Sequence, residues 1–335
     1  MKIGFRFKRD LIVDLGSSHI VIAGWNQSQP IRSPARIEIQ SSDSNPPKGN
    51  KAPGKKKSAK VATSRIVRPI VGGKIVDAYA LEVILREALK SLRSRLGFFG
   101  LRHTALVLAA PGLRESEKSM LRAIMIDVGF GRARLVESPI AAARGCHLPI
   151  EKPEGHMIMD LGGGKTTMAI FSMGEIATWR QEPYGGFYLS ETVREYVENR
   201  YRVSISLDQA ETIKLQLGSV YPRKEPRSMK MELRELKSEL PKTIQLEDNE
   251  IRDVLVDALE PLLHSLQPVF DEVPPELAGD IAISGVTLVG GGALLPGLPE
   301  FFSERTGLKF HLAEDPANAA IFGVRGLSGQ FLELI

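Results

Sequence analysis

Two stretches of the chain alternate in the same way between apolar, β-branched runs and a short small-residue break. Between residues 12 and 25, Ile12-Val13 and Ile20-Val21-Ile22-Ala23 flank Asp14-Leu15-Gly16-Ser17-Ser18-His19. Between residues 156 and 172, Met157-Ile158-Met159 and Met168-Ala169-Ile170-Phe171 flank Asp160-Leu161-Gly162-Gly163-Gly164-Lys165. Each pattern predicts a strand, a tight turn and a second strand. The two breaks lie about 145 residues apart, a domain-scale spacing that suggests a duplicated fold.

Helical and strand patterns follow each hairpin. Asp77 is placed to cap a helix over 78–95, with Leu81, Ile84, Leu85, Ala88 and Leu92 on one face. Residues 104–110 read as a buried strand stopped by Pro111-Gly112, 115–128 as a helix, and 133–136 as a short strand before a helix opened by Pro139. In the second half, Tyr184-Gly185-Gly186 leads to a helix over 189–200 and another over 207–217. A polar stretch then ends near residue 247, and one long amphipathic helix is expected over 250–273. Residues 285–289 read as a strand delivering Gly290-Gly291-Gly292, followed by a helix over 299–306. Strands alternating with helices, twice over, predict two α/β domains with mixed sheets.

Composition narrows the class. The chain has 335 residues, enough for two domains with real cores, and no apolar run approaches the roughly 18 residues that span a bilayer. The N-terminus lacks the long apolar stretch of a secretion signal, and the single cysteine, Cys146, excludes an intramolecular disulfide and fits a reducing cytoplasm. The net charge of +4 is uneven: residues 48–60 hold six lysines and no acid, and residues 1–9 hold four basic groups. Setting those ten aside leaves about −6 on the rest, so no specific nucleic-acid partner is expected. Residues 27–64 lose all pattern and read as a mobile polar insertion.

The chemistry lies in the breaks. Each places a carboxylate at a strand end, followed by small residues that let backbone N–H groups approach an anion. Two such turns facing each other would hold a polyphosphate from both sides, with Asp14 and Asp160 organising a divalent metal through its water shell. Gly162-Gly163-Gly164-Lys165-Thr166-Thr167 imitates a P-loop, but Met159 stands where that motif needs glycine, and a strand follows instead of a helix. The third glycine cluster, Gly290-Gly291-Gly292-Ala293-Leu294, suits either a tight turn or close packing against a flat ring or a phosphate. The six histidines show no metal-ligand spacing.

Several motifs in order make the chain resemble the bacterial actin family of MreB and MamK, within the actin–Hsp70–sugar kinase superfamily. They are Ile12-Val13-Asp14-Leu15-Gly16, Arg68-Pro69-Ile70, Glu137-Ser138-Pro139-Ile140-Ala141-Ala142-Ala143 and Met159-Asp160-Leu161-Gly162-Gly163-Gly164. Ala210-Glu211-Thr212-Ile213-Lys214, Gly218-Ser219-Val220-Tyr221-Pro222, Pro274-Pro275-Glu276-Leu277-Ala278, residues 289–295, Glu314-Asp315-Pro316 and Gly323 extend the match. The resemblance implies a two-domain actin-like, ribonuclease H-like ATPase fold with the nucleotide cleft between domains. Domain I would comprise 1–150 and 318–335, with 29–66 as a reduced, flexible subdomain IB. Domain II would comprise 151–317, with about 190–252 as subdomain IIB.

The same resemblance implies roles. Asp14 and Asp160 would hold Mg²⁺ through water. Gly16, Ser17, Ser18, His19, Gly162, Gly163, Gly164, Lys165 and Thr166 would line the ATP phosphates. Gly185, Gly186, Glu211, Lys214, Gly290, Gly291, Gly292, Ala293 and Leu294 would frame the adenosine. The implied function is a cytoskeletal protein that binds ATP and polymerises head to tail with itself, in the cytoplasm or peripherally at the inner membrane with membrane-protein partners. Ile3, Phe5 and Phe7, alternating with basic residues, suit either membrane contact or an edge strand.

This sequence departs from the family where hydrolysis is concerned. The family's Glu-Glu-Pro becomes Glu137-Ser138-Pro139, so the expected water-positioning acid is Ser138, and Glu137 stands one residue early. Losing a positioned base costs roughly 10²–10⁴ in rate. His19 and Ile20 replace an Asn and a Thr, Phe187 replaces an Asp, and Lys165 replaces a Thr. For Lys165, pointing to solvent is the simpler reading and charge for a phosphate the other. Slow ATP hydrolysis to ADP and phosphate stays open, as does the alternative of a non-hydrolysing scaffold that organises partners at the membrane.

Overall fold

The structure is a computed structural model that describes residues 10–25, 30–40, 64–96 and 103–326. The segment carrying Ile3, Phe5 and Phe7 and the lysine-rich residues 48–60 lie outside the described residues.

The first hairpin forms as its pattern predicts, from Leu11–Leu15 (β1) and His19–Gly24 (β2). The stretch read as patternless nonetheless contains strands. Ile31–Pro34 (β3) extends the hairpin, and Ile37–Gln40 (β4) pairs with Ser64–Val67 (β5). These strands are four residues each with polar or charged members, too short to show an alternation. Ile70–Val71 (β6) and Lys74–Ile75 (β7) form a small hairpin around Gly72 and Gly73. Helix Ala78–Leu96 (α1) is capped as expected: the Asp77 carboxylate accepts from the Ala80 N–H at 2.9 Å. Thr104–Ala109 (β8), Glu115–Asp127 (α2), Arg132–Glu137 (β9) and Ser138–Gly145 (α3) complete the half.

The second half opens with His156–Leu161 (β10), Thr166–Ser172 (β11) and Glu175–Glu182 (β12). Gly186–Tyr201 (α4), Val203–Ser204 (β13) and Leu207–Leu217 (α5) follow. The supposed polar stretch is a hairpin, Ser228–Glu235 (β14) with Pro241–Glu247 (β15). Only one of its faces is covered, so Leu233, Ile244 and Leu246 are buried while Lys230, Glu232, Arg234 and Glu247 stand on the other face. The expected single long helix is two, Asp248–His264 (α6) and Gln267–Asp271 (α7). Pro261 inside the first and Pro268 at the start of the second remove amide donors around the break. Pro275–Ser284 (α8), Val286–Val289 (β16), Leu298–Thr306 (α9), Phe310–Leu312 (β17) and Ala319–Gly326 (α10) complete the described residues.

The duplication is visible in the strand order. One sheet runs β3-β2-β1-β8-β9 and the other β12-β11-β10-β16-β17. Each is an antiparallel three-stranded meander joined through its first strand to two parallel strands. On one face of the first sheet, Val13, Ile22 and Val107 pack with Leu81, Leu85 and Met125 of α1 and α2. The second sheet buries Met157, Met168 and Leu288 against α4, α5 and α6. The helices α3 and α10 contribute to the remaining faces of both sheets. Ala141, Ile321 and Val324 join Ile12 and Leu106, while Ala142, Ala143 and Ala319 join Ile158, Ala169 and Val289.

Candidate functional site

Asp14 and Asp160 occupy the same position in the two sheets. Asp14 stands between Val21 and Leu108, and Asp160 between Thr167 and Val289, each one residue before the end of its strand. The turns that follow close identically. The Gly16 N–H donates to the His19 carbonyl at 3.1 Å, and the Gly162 N–H to the Lys165 carbonyl at 2.9 Å. His19 and Lys165 are therefore equivalent residues of the repeat.

The two turns face each other. A β-carbon on Gly163 would lie 2.7 Å from the Ser18 β-carbon, and one on Gly164 would lie 2.4 Å from the Ser17 hydroxyl oxygen. Beside this approach opens a cavity of about 1080 Å³. It receives Asp14, Gly16, Ser17, Ser18 and His19 from one half, and Asp160, Gly162, Gly163, Gly164 and Lys165 from the other. Ser138, Gly186, Glu211, Lys214, Gly290, Gly291, Gly292 and Leu294 line it as well. Gly290 holds φ +85°, and a β-carbon there would sit 2.3 Å from an Asp160 carboxylate oxygen. Only glycine lets the strand end pass the acid.

Four of the expected residues do not line the cavity. Thr166 is fully buried, its hydroxyl donating to the Tyr184 carbonyl at 2.6 Å. Gly185 lies behind the second turn, where the next two amides anchor it. The Gly186 N–H donates to Gly162 O at 2.9 Å and the Phe187 N–H to Gly163 O at 2.7 Å. Ala293 is buried within a 3-10 turn spanning Gly291–Leu294. Glu137 stands at the N-cap position of α3 without a capping side-chain hydrogen bond and does not line the cavity, and its carboxyl is pushed up by burial and by the neighbouring Glu175. Lys165 does not point to solvent. It is half-buried and lines the cavity, because the turn closed by its own carbonyl directs the side chain toward the facing half.

Two half-buried carboxylates set the electrostatics. Burial first, then Asp160, pushes the Asp14 carboxyl up to about 7, against the opposing pull of Arg32. Asp160 is pushed up to about 6 by burial, opposed by Lys165. Burial lowers Lys165 in turn, while Asp160 raises it. Burial and mutual repulsion thus favour holding protons on the pair, and a cation placed between the two acids would relieve both. Among the described residues no three His, Cys, Asp or Glu side chains converge on one point. Two carboxylates without a third ligand fit Mg²⁺, which keeps most of its waters and takes its remaining oxygens from phosphates.

The other end of the cavity is built differently. The Lys214 ammonium is buried and spends its donors on the protein: Gly186 O at 2.8 Å, Ser190 Oγ at 2.9 Å and Glu211 Oε2 at 2.7 Å. It braces Glu211 and the turn, leaving Glu211 at the wall. Leu215 and Leu294, 72% and 56% exposed, give this end two apolar surfaces. Above the cleft, Asp208 pairs with Arg36 at 2.5 Å and with Arg68 at 3.8 Å, and the Arg68 guanidinium lies 5.0 Å from the centre of the Phe187 ring. Arg32, Gln181, Leu215 and Asn318 also line the cavity, and no motif marks them in the sequence. Arg32 comes from the unrecognised β3 and donates to Ala317 O at 3.0 Å and Asn318 Oδ1 at 2.5 Å.

A family model described as MreB/Mbl protein matches residues 8–334. The chain belongs to the MreB/Mbl family. It is 31% identical to the cell shape-determining protein MreB of Escherichia coli, over 98% of this chain and 94% of that one. The structure of MreB5 of Spiroplasma citri bound to ADP superposes with a TM-score of 0.85 at 27% identity, covering 98% of each chain. A MamK double helical filament shares the fold, with a TM-score of 0.72 at 16% identity, over 95% of this chain and 98% of that one. The two sheets and the cleft between them are therefore the actin-like fold. Within this MreB/Mbl protein, the acid expected at the start of α3 is replaced at Ser138, which does line the cavity.

Proposed function

We propose that this MreB/Mbl protein binds ATP in the cleft between its two sheets and assembles head to tail into cytoskeletal filaments. The observation that carries the reading is the facing pair of glycine-containing turns, each preceded by a half-buried aspartate at a strand end. That MreB5 is known bound to ADP and to AMPPNP supports the same occupant here. Gly16, Ser17, Gly163 and Gly164 hold the phosphates, Asp14 and Asp160 hold Mg²⁺ through water, and Leu215, Leu294 and Glu211 hold the nucleoside. The metal supplies positive charge that neutralises the phosphates. Because the ligand touches both halves, it fixes their relative angle, and one angle suits the next subunit. Such contacts between unlike surfaces do not close, so filaments result.

Ser138 favours slow hydrolysis. A hydroxyl at the cavity wall can hold a water by hydrogen bond but is a far weaker base than a carboxylate, and Glu137 faces elsewhere. The test is pelleting and negative-stain microscopy with ATP, ADP, AMPPNP and no nucleotide, with phosphate release followed in parallel. ATP-dependent filaments with slow release support the proposal. Assembly that ignores nucleotide favours a static scaffold at the membrane, and no assembly under any condition sinks the filament.

A further inference from the structure

Lys165 crosses the cleft. A β-carbon on Gly73 would lie 2.4 Å from its Nζ and 2.6 Å from its Cε, so the ammonium rests against the β6–β7 turn of the other half. Among the described residues it makes no hydrogen bond and no ion pair within 4 Å, and Asp160 acts on it only from farther away. Lys214, by contrast, has three protein acceptors within 2.9 Å. A half-buried cation with open donors is costly unless an anion completes it.

The order of groups along the cavity says which anion. Leu215, Leu294 and Glu211 form one end, and Lys214 ties Glu211 to Gly186. Gly186 is bonded to Gly162, Gly163 then faces Ser18, Gly164 faces Ser17, and Lys165 reaches Gly73. A nucleotide seated with its nucleoside at the leucines presents successive phosphates along this row. Lys165 stands at the far end of that row, against Gly73.

We propose that Lys165 binds the terminal phosphate of a nucleoside triphosphate and gives the site its preference for triphosphate over diphosphate. The assignment rests on the nucleotide reading above. The loop is not a P-loop, since a strand follows it, yet its lysine serves the same end by reaching past three glycines to the distal phosphate. Gly73, at φ +76°, leaves the space the ammonium occupies.

The test is displacement of a fluorescent nucleotide from the full chain by ATP and by ADP at fixed Mg²⁺, below the concentration at which it pellets. Wild type, Lys165→Thr, Lys165→Arg and Gly73→Ala are compared, with thermal melts to confirm folding. Charged hydrogen bonds of this kind predict a loss of roughly 10- to 100-fold in ATP affinity for Lys165→Thr. ADP affinity should change less than about twofold, and Lys165→Arg should recover part of the loss. Gly73→Ala, which crowds the ammonium without removing it, should reduce ATP binding selectively too. Equal losses for ATP and ADP, or unchanged ATP affinity in both Lys165→Thr and Gly73→Ala, overturn the assignment while nucleotide binding itself stands. A wild-type chain that binds neither nucleotide overturns both.

Discussion

Gly145 and Gly323 face one another where α3 crosses α10. A β-carbon on Gly145 would lie 1.8 Å from the Ala319 carbonyl oxygen, and one on Gly323 would lie 1.6 Å from the Ala141 carbonyl oxygen. The two helix backbones touch, and this crossing sits between the two sheets, packed against both. The angle between the halves is therefore set at a contact that has no side chains to yield.

Gly323→Ala forces the helices apart and should destabilise the whole protein. Overpacking costs typically about 1–3 kcal/mol, and a backbone oxygen cannot rotate away as a side chain can. At roughly 2–4 °C per kcal/mol for a unit of this size, the melting temperature should fall by several degrees. Nucleotide-dependent pelleting should weaken as well, since the cleft would rest at another angle. A melting curve that overlays wild type would show that the crossing tolerates a methyl group and does not fix the angle.

Ser138→Glu should raise the steady-state rate of phosphate release. The residue lines the cavity, and a carboxylate there can accept a proton from an attacking water, an effect worth roughly 10²–10⁴ in rate. Glu137→Gln should leave the rate unchanged, because Glu137 lies outside the lining and faces Glu175. If Glu137→Gln abolishes release and Ser138→Glu does nothing, the assignment of the two neighbours is reversed.

The two hairpins were legible because their apolar runs are long, β-branched and symmetric about a small-residue break, and both formed within a residue or two of the expected ends. Helix α5 matched residue for residue, its Ser206 cap bonding the Gln209 amide at 3.2 Å. What stayed hidden was marginal locally and decided by tertiary pairing. The strands β3 and β4 have four residues each, and β14 and β15 bury one face only. The site shows the same division. Both aspartates and both glycine turns were readable as motifs, whereas Arg32 and Leu215 reach the cavity only through the packing of β3 and α5. Lys165 was misjudged because its neighbours in sequence are small and open. The surface that half-buries it belongs to the other half of the molecule.

Lys214→Met should weaken ATP and ADP alike, unlike a change at Lys165. The ammonium ties Glu211 and Ser190 to the Gly186 carbonyl, behind the turn that both nucleotides would share. Its loss leaves that carbonyl and the carboxylate short of a donor, a cost on the order of 2 kcal/mol. The methionine fills the same volume, so the melting point should drop modestly and both affinities together. A selective loss of ATP binding would mean that the two lysines have been assigned to the wrong ends of the cavity.

The acid pair should make the ligand-free protein less stable as pH rises through the neutral range. Asp14 and Asp160 ionise near the ordinary 3.8 when unfolded, but burial raises them to about 7 and about 6 in the fold. Below pH 3.8 both states hold these protons and the contribution is fully present. Between that point and about pH 7 the unfolded chain has released protons that the native site retains, so the native state binds more and stability falls with pH. Above about 7 the loss is complete. The two carboxyls interact, so the midpoints belong to the pair. Urea unfolding of wild type and Asp14→Asn from pH 5 to 8 isolates the effect, since every other titrating group is common to both. The variant should lose less stability across the range, and Mg²⁺ with ATP should flatten the wild-type curve by supplying the missing positive charge. Parallel curves would mean that the site admits enough water to ionise both acids at their ordinary values, and that no cation is needed to balance them.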